Sequence, residues 1–394
     1  MKQKSKKNLN VPNLRFKEFE GEWVEATLGE LVENVRGKIS TSLLSVDKYI
    51  STENILQNFQ GVIPATSIPN NTNVVAFRKD DILFSNIRPY LKKIWLANYN
   101  GGCSADVVVF RSNDTCEAKF LHHLIANDKF INYVMLGTKG TKMPRGDKQQ
   151  ISNYTTYLPS KSEQTKIATF LSLLDDRIST QRQIIEEMET LMKGVSKKIF
   201  SQELRFKDDD GNEFPEWEVK KLGEVATIQM GQSPNSSSYN TNGVGVPLIQ
   251  GNADIMDRKS NPRQHTSSPT KFCEIGDLLL TVRAPVGHVA KSLHYACIGR
   301  GVCSIKNNEY SVSDFIYQFL LQFEDAWKTI EQGSTFTSVN SSDIGSISIT
   351  IPSIKEQTKI ANFLSAIDEK LENERQILKK YTEQKKYLLA NMFV

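Results

Sequence analysis

The sequence predicts a mixed α/β protein in which two similar globular domains are separated by two long antiparallel coiled-coil helices, arranged as a pseudo-two-fold circular repeat. Three observations predict it. A block at residues 158–185 recurs without a gap 193 residues later. Both copies continue into heptad seams of the same phase. A second similarity opens each half of the chain, ahead of a diverged stretch of about 130 residues. A repeat of this kind sets the architecture before any single element is assigned.

The two blocks read LPSKSEQTKIATFLSLLDDRISTQRQII and IPSIKEQTKIANFLSAIDEKLENERQIL. Each begins with a proline (Pro159, Pro352), a serine and a Glu-Gln pair, the pattern of a helix start with acidic residues in its first turn. Downstream, apolar residues alternate three and four apart: Leu171, Leu174, Ile178, Ile185, Met188, Met192, Val195 and Ile199, with Gln181 in a polar slot. The second copy gives Leu364, Ile367, Leu371, Leu378, Tyr381, Leu388 and Met392, with Glu374 and Lys385 in slots that match Gln181 and Met192. Two helices packed separately on their own domains would show the same periodicity, but a shared phase favours pairing along the seam. Helix one delivers the chain to the second domain, and helix two starts where that domain ends. A shared seam therefore makes them antiparallel, with an approximate two-fold axis.

The halves that carry these helices resemble each other at ordered intervals. LRFKEFEGEWVEATLGELVE from Leu14 matches LRFKDDDGNEFPEWEVKKLGEVAT from Leu204, with Trp23 facing Trp217. DDILFSNIRP at 80–89 matches GDLLLTVRAP at 276–285, an Asp-led apolar strand that places Arg88 and Arg283 at matching positions. AKFLHHLI at 118–125 and SDFIYQFL at 313–320 read as one helix; GTKMP at 140–144 and GSTFT at 333–337 read as one Gly-Ser/Thr loop. The partition expected is a basic arm at 1–20, a first recognition domain at 21–158, a helical spacer at 159–203, a second domain at 204–351 and a second spacer at 352–394. The approach to Leu204 recurs as VPNLRF at 11–16, so Leu14 and Phe16 are expected beside the end of helix two.

Composition narrows the function. A chain of 394 residues exceeds one ordinary core. With 39% hydrophobic and 24% charged residues it reads as a soluble globular protein. The net charge of +4 permits a nucleic-acid partner without demanding one. MKQKSKK is not followed by the apolar run of a signal peptide, and no apolar stretch is long enough to span a bilayer, so a cytoplasmic protein without membrane contact is expected. Five cysteines form no CxxC pair and have no histidine at zinc-finger spacing. An amino-methyltransferase motif, a glycine-rich cofactor loop, a GxxxxGK[ST] loop and HExxH are all missing, so no catalytic or metal site is expected. His122 and His123 read as packing or surface residues of their helix.

The two PS-x-x-EQTKIA-x-FL blocks, the LRF…W…LGE openings, the Asp-led strand and the late Gly-Ser/Thr loop together span nearly the whole chain. They resemble the specificity subunits of type I restriction-modification systems. The resemblance implies a non-catalytic subunit whose two domains each read half of a bipartite site in double-stranded DNA. It further implies that the helices bind two methyltransferase subunits, that restriction and translocase subunits join through the complex, and that S-adenosylmethionine, ATP and Mg belong to those partners, with no cofactor on this chain. From Leu171 to Ile199 the seam rises about 42 Å at about 1.5 Å per residue, against about 34–36 Å for one DNA turn. The competing reading is a coiled-coil interaction protein without sequence-specific DNA binding.

Base edges are read by side chains offering paired hydrogen bonds, whereas phosphates need charge and backbone amides. The candidate DNA-binding residues of the first domain are Arg36 and Lys38, then Ser85, Asn86 and Arg88 after the Asp-led strand, and Lys139, Lys142 and Arg145 in the late basic loop. In the second domain they are Gln232, Ser233 and Asn235, Gln250 and Asn252, Arg283, and Ser334, Thr335 and Thr337. A lone surface arginine is more often an ion-pair partner, and a charged loop more often merely solvated. What argues for readout is that these loops differ between two otherwise similar halves.

Overall fold

A computed structural model describes residues 10–33, 35–333 and 339–394. The chain forms two compact units, residues 1–182 with 376–394, and residues 183–375.

In the first unit, strands Val32–Glu33, Val107–Ser112, Ile82–Ser85 and Ile94–Leu96 make an antiparallel sheet in that order. A second sheet orders Lys38–Ser40, Asn73–Phe77, Gly101–Cys103 and Tyr49–Ile50, its last pair parallel. The Asp-led strand Ile82–Ser85 is apolar throughout because both its faces are buried: Ile82 and Phe84 enter the core shared with the long helices, while Leu83 enters a second core with Phe77 and Trp95. Asp81, at its head, accepts hydrogen bonds at 2.8 and 2.7 Å from Arg111, the neighbouring strand's arginine, and one from the Arg78 N–H.

The second unit repeats this arrangement with longer sheets. Ala226–Met230, Val302–Asn307, Leu278–Thr281, Val289–Lys291, Lys259–Ser260 and Ile255–Met256 form one sheet, and a five-stranded sheet centres on Val246–Ile249. Leu278 and Leu280 face one core and Leu279 the other, the same division as in Ile82–Phe84. Asp277, like Asp81, accepts a backbone N–H three residues upstream, from Glu274.

The long helices run Lys161–Phe200 and Ile354–Asn391. In the first unit the start of the first helix (Ile167, Ala168, Leu171) shares a core with the end of the second (Leu388, Leu389, Met392, Phe393). In the second unit the end of the first helix (Ile199, with Met192 and Val195 packed alongside) shares a core with the start of the second (Ile360, Ala361, Leu364). Start meets end in each unit, so the helices are antiparallel. Lys385 pairs with Asp175 in one unit, and Arg375 with Glu189 at 2.6 Å in the other. Of the seam residues, Leu171, Ile178, Ile185, Leu364 and Leu371 are buried, whereas Leu174, Met188, Ile367, Leu378 and Tyr381 are half-buried.

The Glu-Gln pair of each block fastens helix to domain. Gln164 accepts the Glu117 N–H and donates to the carbonyls of Thr115 and Pro159; Gln357 accepts the Val312 N–H and donates to Tyr310 and Pro352. Glu163, 1% exposed, is held by Arg15 at two distances of 2.8 Å. Glu356 is held by Arg205 and also accepts the Trp217 indole N–H at 3.2 Å. The Leu14 N–H donates to the Asn391 carbonyl at 2.9 Å, as the Leu204 N–H does to Lys198 at 3.0 Å. Residues 391 and 198 differ by the repeat offset of 193. Phe393 packs on Trp23 and Phe120 as Phe200 packs on Trp217 and Phe315.

Asp368, on the second long helix, accepts a hydrogen bond from Gln318 at 2.6 Å. Burial raises its pKa, and the Gln318 bond only partly opposes this. Because the folded pKa lies above the unfolded one, stability falls as pH rises from about 3.8 through the folded value. Asp368→Asn is expected to remove that decline. Denaturation midpoints from pH 3.5 to 7 check this: the wild type loses stability through the window relative to the variant, and parallel curves would contradict it.

Candidate nucleic-acid interface

In the second unit, Ser233, Gln250, Asn252 and Arg283, four of the expected readers, line one cleft of about 210 Å³ with Arg300. Its walls are loops laid backbone to backbone. The Gln232 N–H donates to Ile298 O at 2.9 Å, Gly301 N–H to Gln250 O at 3.1 Å and Val282 N–H to Gly301 O at 3.0 Å. A Cβ at Gly301 would stand 2.2 Å from the Gln250 carbonyl, so only glycine permits the approach. Gln250 is anchored by its N–H donating to buried Asp254, which also pairs with Arg263 at 2.9 Å. The Asn252 side-chain oxygen Oδ1 lies against His288 Nδ1. Ser233 Oγ accepts from the Arg300 N–H at 3.1 Å. The Arg283 guanidinium is exposed and has no acidic partner among the described residues. The cleft thus presents two arginines beside an amide pair, the donor and acceptor types that base edges and phosphates accept.

Gln232 and Asn235 are exposed beside this cleft's Ser233, though Asn235 spends its side-chain oxygen on the N–H of Ser237. Ser334, Thr335 and Thr337 lie outside the described residues.

In the first unit the late basic loop is closed by paired backbone bonds between Lys139 and Arg145, each 3.0 Å, and leans on the strand exit through Arg88 N–H to Pro144 O at 2.8 Å. Lys139 pairs with Asp147 at 2.8 Å and Arg145 with Asp106 at 3.2 Å; Lys142 is exposed at the tip. The bond to Asp147 raises the Lys139 pKa and keeps it charged. Exposed pairs of this kind contribute little, so both cations can exchange a carboxylate for a phosphate. Arg36 and Lys38 are exposed at the entry to the Lys38–Ser40 strand.

Three expectations need correction. Ser85 and Asn86, at 1% and 8% exposure, are interior: Ser85 donates to Ile87 O, and Asn86 donates to Gly146 O at 3.1 Å. They position the late loop and present nothing to a groove. Arg88 and Arg283 are also not equivalent, since counting from Asp81 and Asp277 puts Ile87 opposite Arg283. Arg88 is half-buried in left-handed backbone at φ 51° with its Nε enclosed, while Arg283 is open. Arg300 was missed because the equivalent turn of the first half, between Gly101–Cys103 and Val107–Ser112, carries Ala105 in its place; its Gly-Arg-Gly setting was the available signal.

The type I restriction modification DNA specificity domain matches this chain twice, at residues 20–190 and 215–382. The chain belongs to that family. Its role is that of the DNA-recognition subunit of a type I restriction-modification system, a subunit that is not itself catalytic. A putative MjaX specificity subunit from Methanocaldococcus jannaschii is 33% identical, over 78% of this chain and 76% of that protein. A solved chain, described for complex assembly and conformational transition of the type I R-M system, is 25% identical over 94% of this chain and 96% of its own, with a TM-score of 0.58. The fold is shared with a type I S subunit from M. genitalium at 16% identity, 98% and 99% coverage and a TM-score of 0.64. No helix among the described residues is long and apolar enough to cross a membrane.

Proposed function

We propose that each α/β domain of this specificity subunit reads one half of a bipartite site in double-stranded DNA, and that the two long helices dock two methyltransferase subunits and set the distance between half-sites. One observation carries the reading. Between the two halves, what fastens domain to helix is kept (Arg15 and Arg205, Glu163 and Glu356, Gln164 and Gln357), while the loops carrying exposed polar and basic side chains are replaced. One scaffold with two different loop sets is what two independent readers require. The readers we assign are Arg36, Lys38, Arg88, Lys139, Lys142 and Arg145 in the first domain, and Gln232, Ser233, Asn235, Gln250, Asn252, Arg283 and Arg300 in the second. S-adenosylmethionine, ATP and Mg are then the business of the partner subunits.

Replacing residues 21–158 by the corresponding domain of another specificity subunit is expected to change one half of the methylated sequence and leave the other half intact. Sequencing the methylation pattern of a host carrying the chimera reads this out. A change in both halves would sink independent reading.

A further inference from the structure

We propose that His122, His123 and Asp175 form a binding site for one divalent transition-metal ion of the zinc class, opening onto the cavity between the first domain and the long helices. That cavity, of about 880 Å³, is lined by His122, His123, Asp175, Asp176, Arg182 and Lys385, among others. One ligand atom from each of His122, His123 and Asp175 lies within 4.8 Å of the others. Tetrahedral zinc ligands at about 2.0–2.2 Å from the metal stand roughly 3.3 Å apart, so closure asks for side-chain movement of about an ångström or more.

The state of His123 is the decisive detail. The ring is 1% exposed, its Nδ1 has no hydrogen-bond partner among the described residues, and that nitrogen stands 3.8 Å from an Asp175 carboxylate oxygen. Its Nε2 lies 3.4 Å from Ser172 Oγ. A proton on Nε2, donated to Ser172, leaves the Nδ1 lone pair directed toward Asp175, the arrangement in which an outer-shell partner fixes the ligating tautomer. A buried nitrogen left unpaired is costly, and a metal ion resolves that cost.

The other half of the molecule is an internal control. At the places of His122, His123 and Asp175 it carries Tyr317, Gln318 and Asp368, and there Gln318 donates to Asp368 at 2.6 Å. The fold therefore does not require a histidine pair at this junction. Lys385, which pairs with Asp175, is the competing cation; its counterpart in the repeat is Met192. A metal ion must displace the ammonium group from the carboxylate, which moderates affinity and supplies a test that works by gain.

The experiment titrates the chelator-treated full chain with Zn²⁺ by calorimetry and with Co²⁺ by visible absorption. One ion per chain is expected, with about a tenfold or greater loss of affinity in His123→Gln, which installs the other half's residue, and in Asp175→Asn. Lys385→Met is expected to bind several-fold more tightly, a result that misfolding cannot produce. Absence of binding by the wild type, binding that survives both ligand substitutions, or an unchanged or weaker affinity in Lys385→Met would each overturn the site.

Discussion

Arg15→Ala is expected to destabilise the first unit by about 3–5 kcal/mol, the usual cost of stranding a buried charge, and Arg205→Ala to cost the second unit visibly less. Both arginines hold a carboxylate at the first turn of a long helix, and both carboxylates are interior: Glu163 is 1% exposed and Glu356 0%. Their surroundings differ. When Arg205 is removed, Glu356 retains the Trp217 indole N–H at 3.2 Å. Among the described residues the matching Trp23 indole nitrogen has no partner, and Glu163 without Arg15 keeps no side-chain donor. Hydrogen exchange across residues 161–170 and 354–363 measures the two effects locally. Arg15→Ala should deprotect the first segment more than Arg205→Ala deprotects the second, and Arg15→Ala with Glu163→Gln should recover much of the loss, because the residual group is then neutral. Equal deprotection in both units would show that the tryptophan bond contributes nothing.

The sequence carried the architecture because the architecture is repeated. A gapless block, a shared seam phase and a doubled LRF opening are each visible without coordinates, and together they define antiparallel helices and the place of Leu14 beside Asn391. The Glu-Gln pair was legible as a helix start, but its work was not. That Glu163 meets Arg15 across 148 residues and Gln164 reaches Glu117 across 47 depends on tertiary placement that periodicity does not encode. The same limit explains Ser85 and Asn86. A polar pair following an apolar strand looks like a loop facing solvent, yet the late loop folds over it and turns its amide into a fastening for Gly146. In the second half Ser233, Gln250, Asn252 and Arg283 converge on one cleft. They do so because Gly231 and Gly301 let three loops touch through their backbones, and glycine-flanked polar residues are a signal that a sequence does carry.

Substituting both cleft arginines, Arg283→Ala with Arg300→Ala, is expected to weaken specific DNA binding by the chain assembled with the methyltransferase subunits proposed to dock on its helices by roughly thirtyfold or more, taking about 1–3 kcal/mol for each good contact. The first half-site should still be read, because its loops belong to the other domain. The two arginines need not do the same job, and lysine separates them. A phosphate contact needs a positive charge, which Lys supplies as a point charge; a bidentate contact to guanine needs the planar fork, which Lys lacks. Arg300 is tethered to Ser233 through both its N–H and its Nε, whereas Arg283 has no such tether among the described residues. The tethered side chain is the better pre-positioned for a base edge, so Arg300→Lys should relax specificity in the second half-site. Arg283→Lys should leave sequence preference intact, while Arg283→Ala lowers the steepness of the salt dependence by about 0.9 in log–log slope, one phosphate contact's share. Binding curves at several salt concentrations, on the cognate site and on sites altered in either half, read both quantities together. Full specificity and an unchanged salt slope in the double alanine variant would remove the cleft from the interface and leave the second half-site to other loops of that domain.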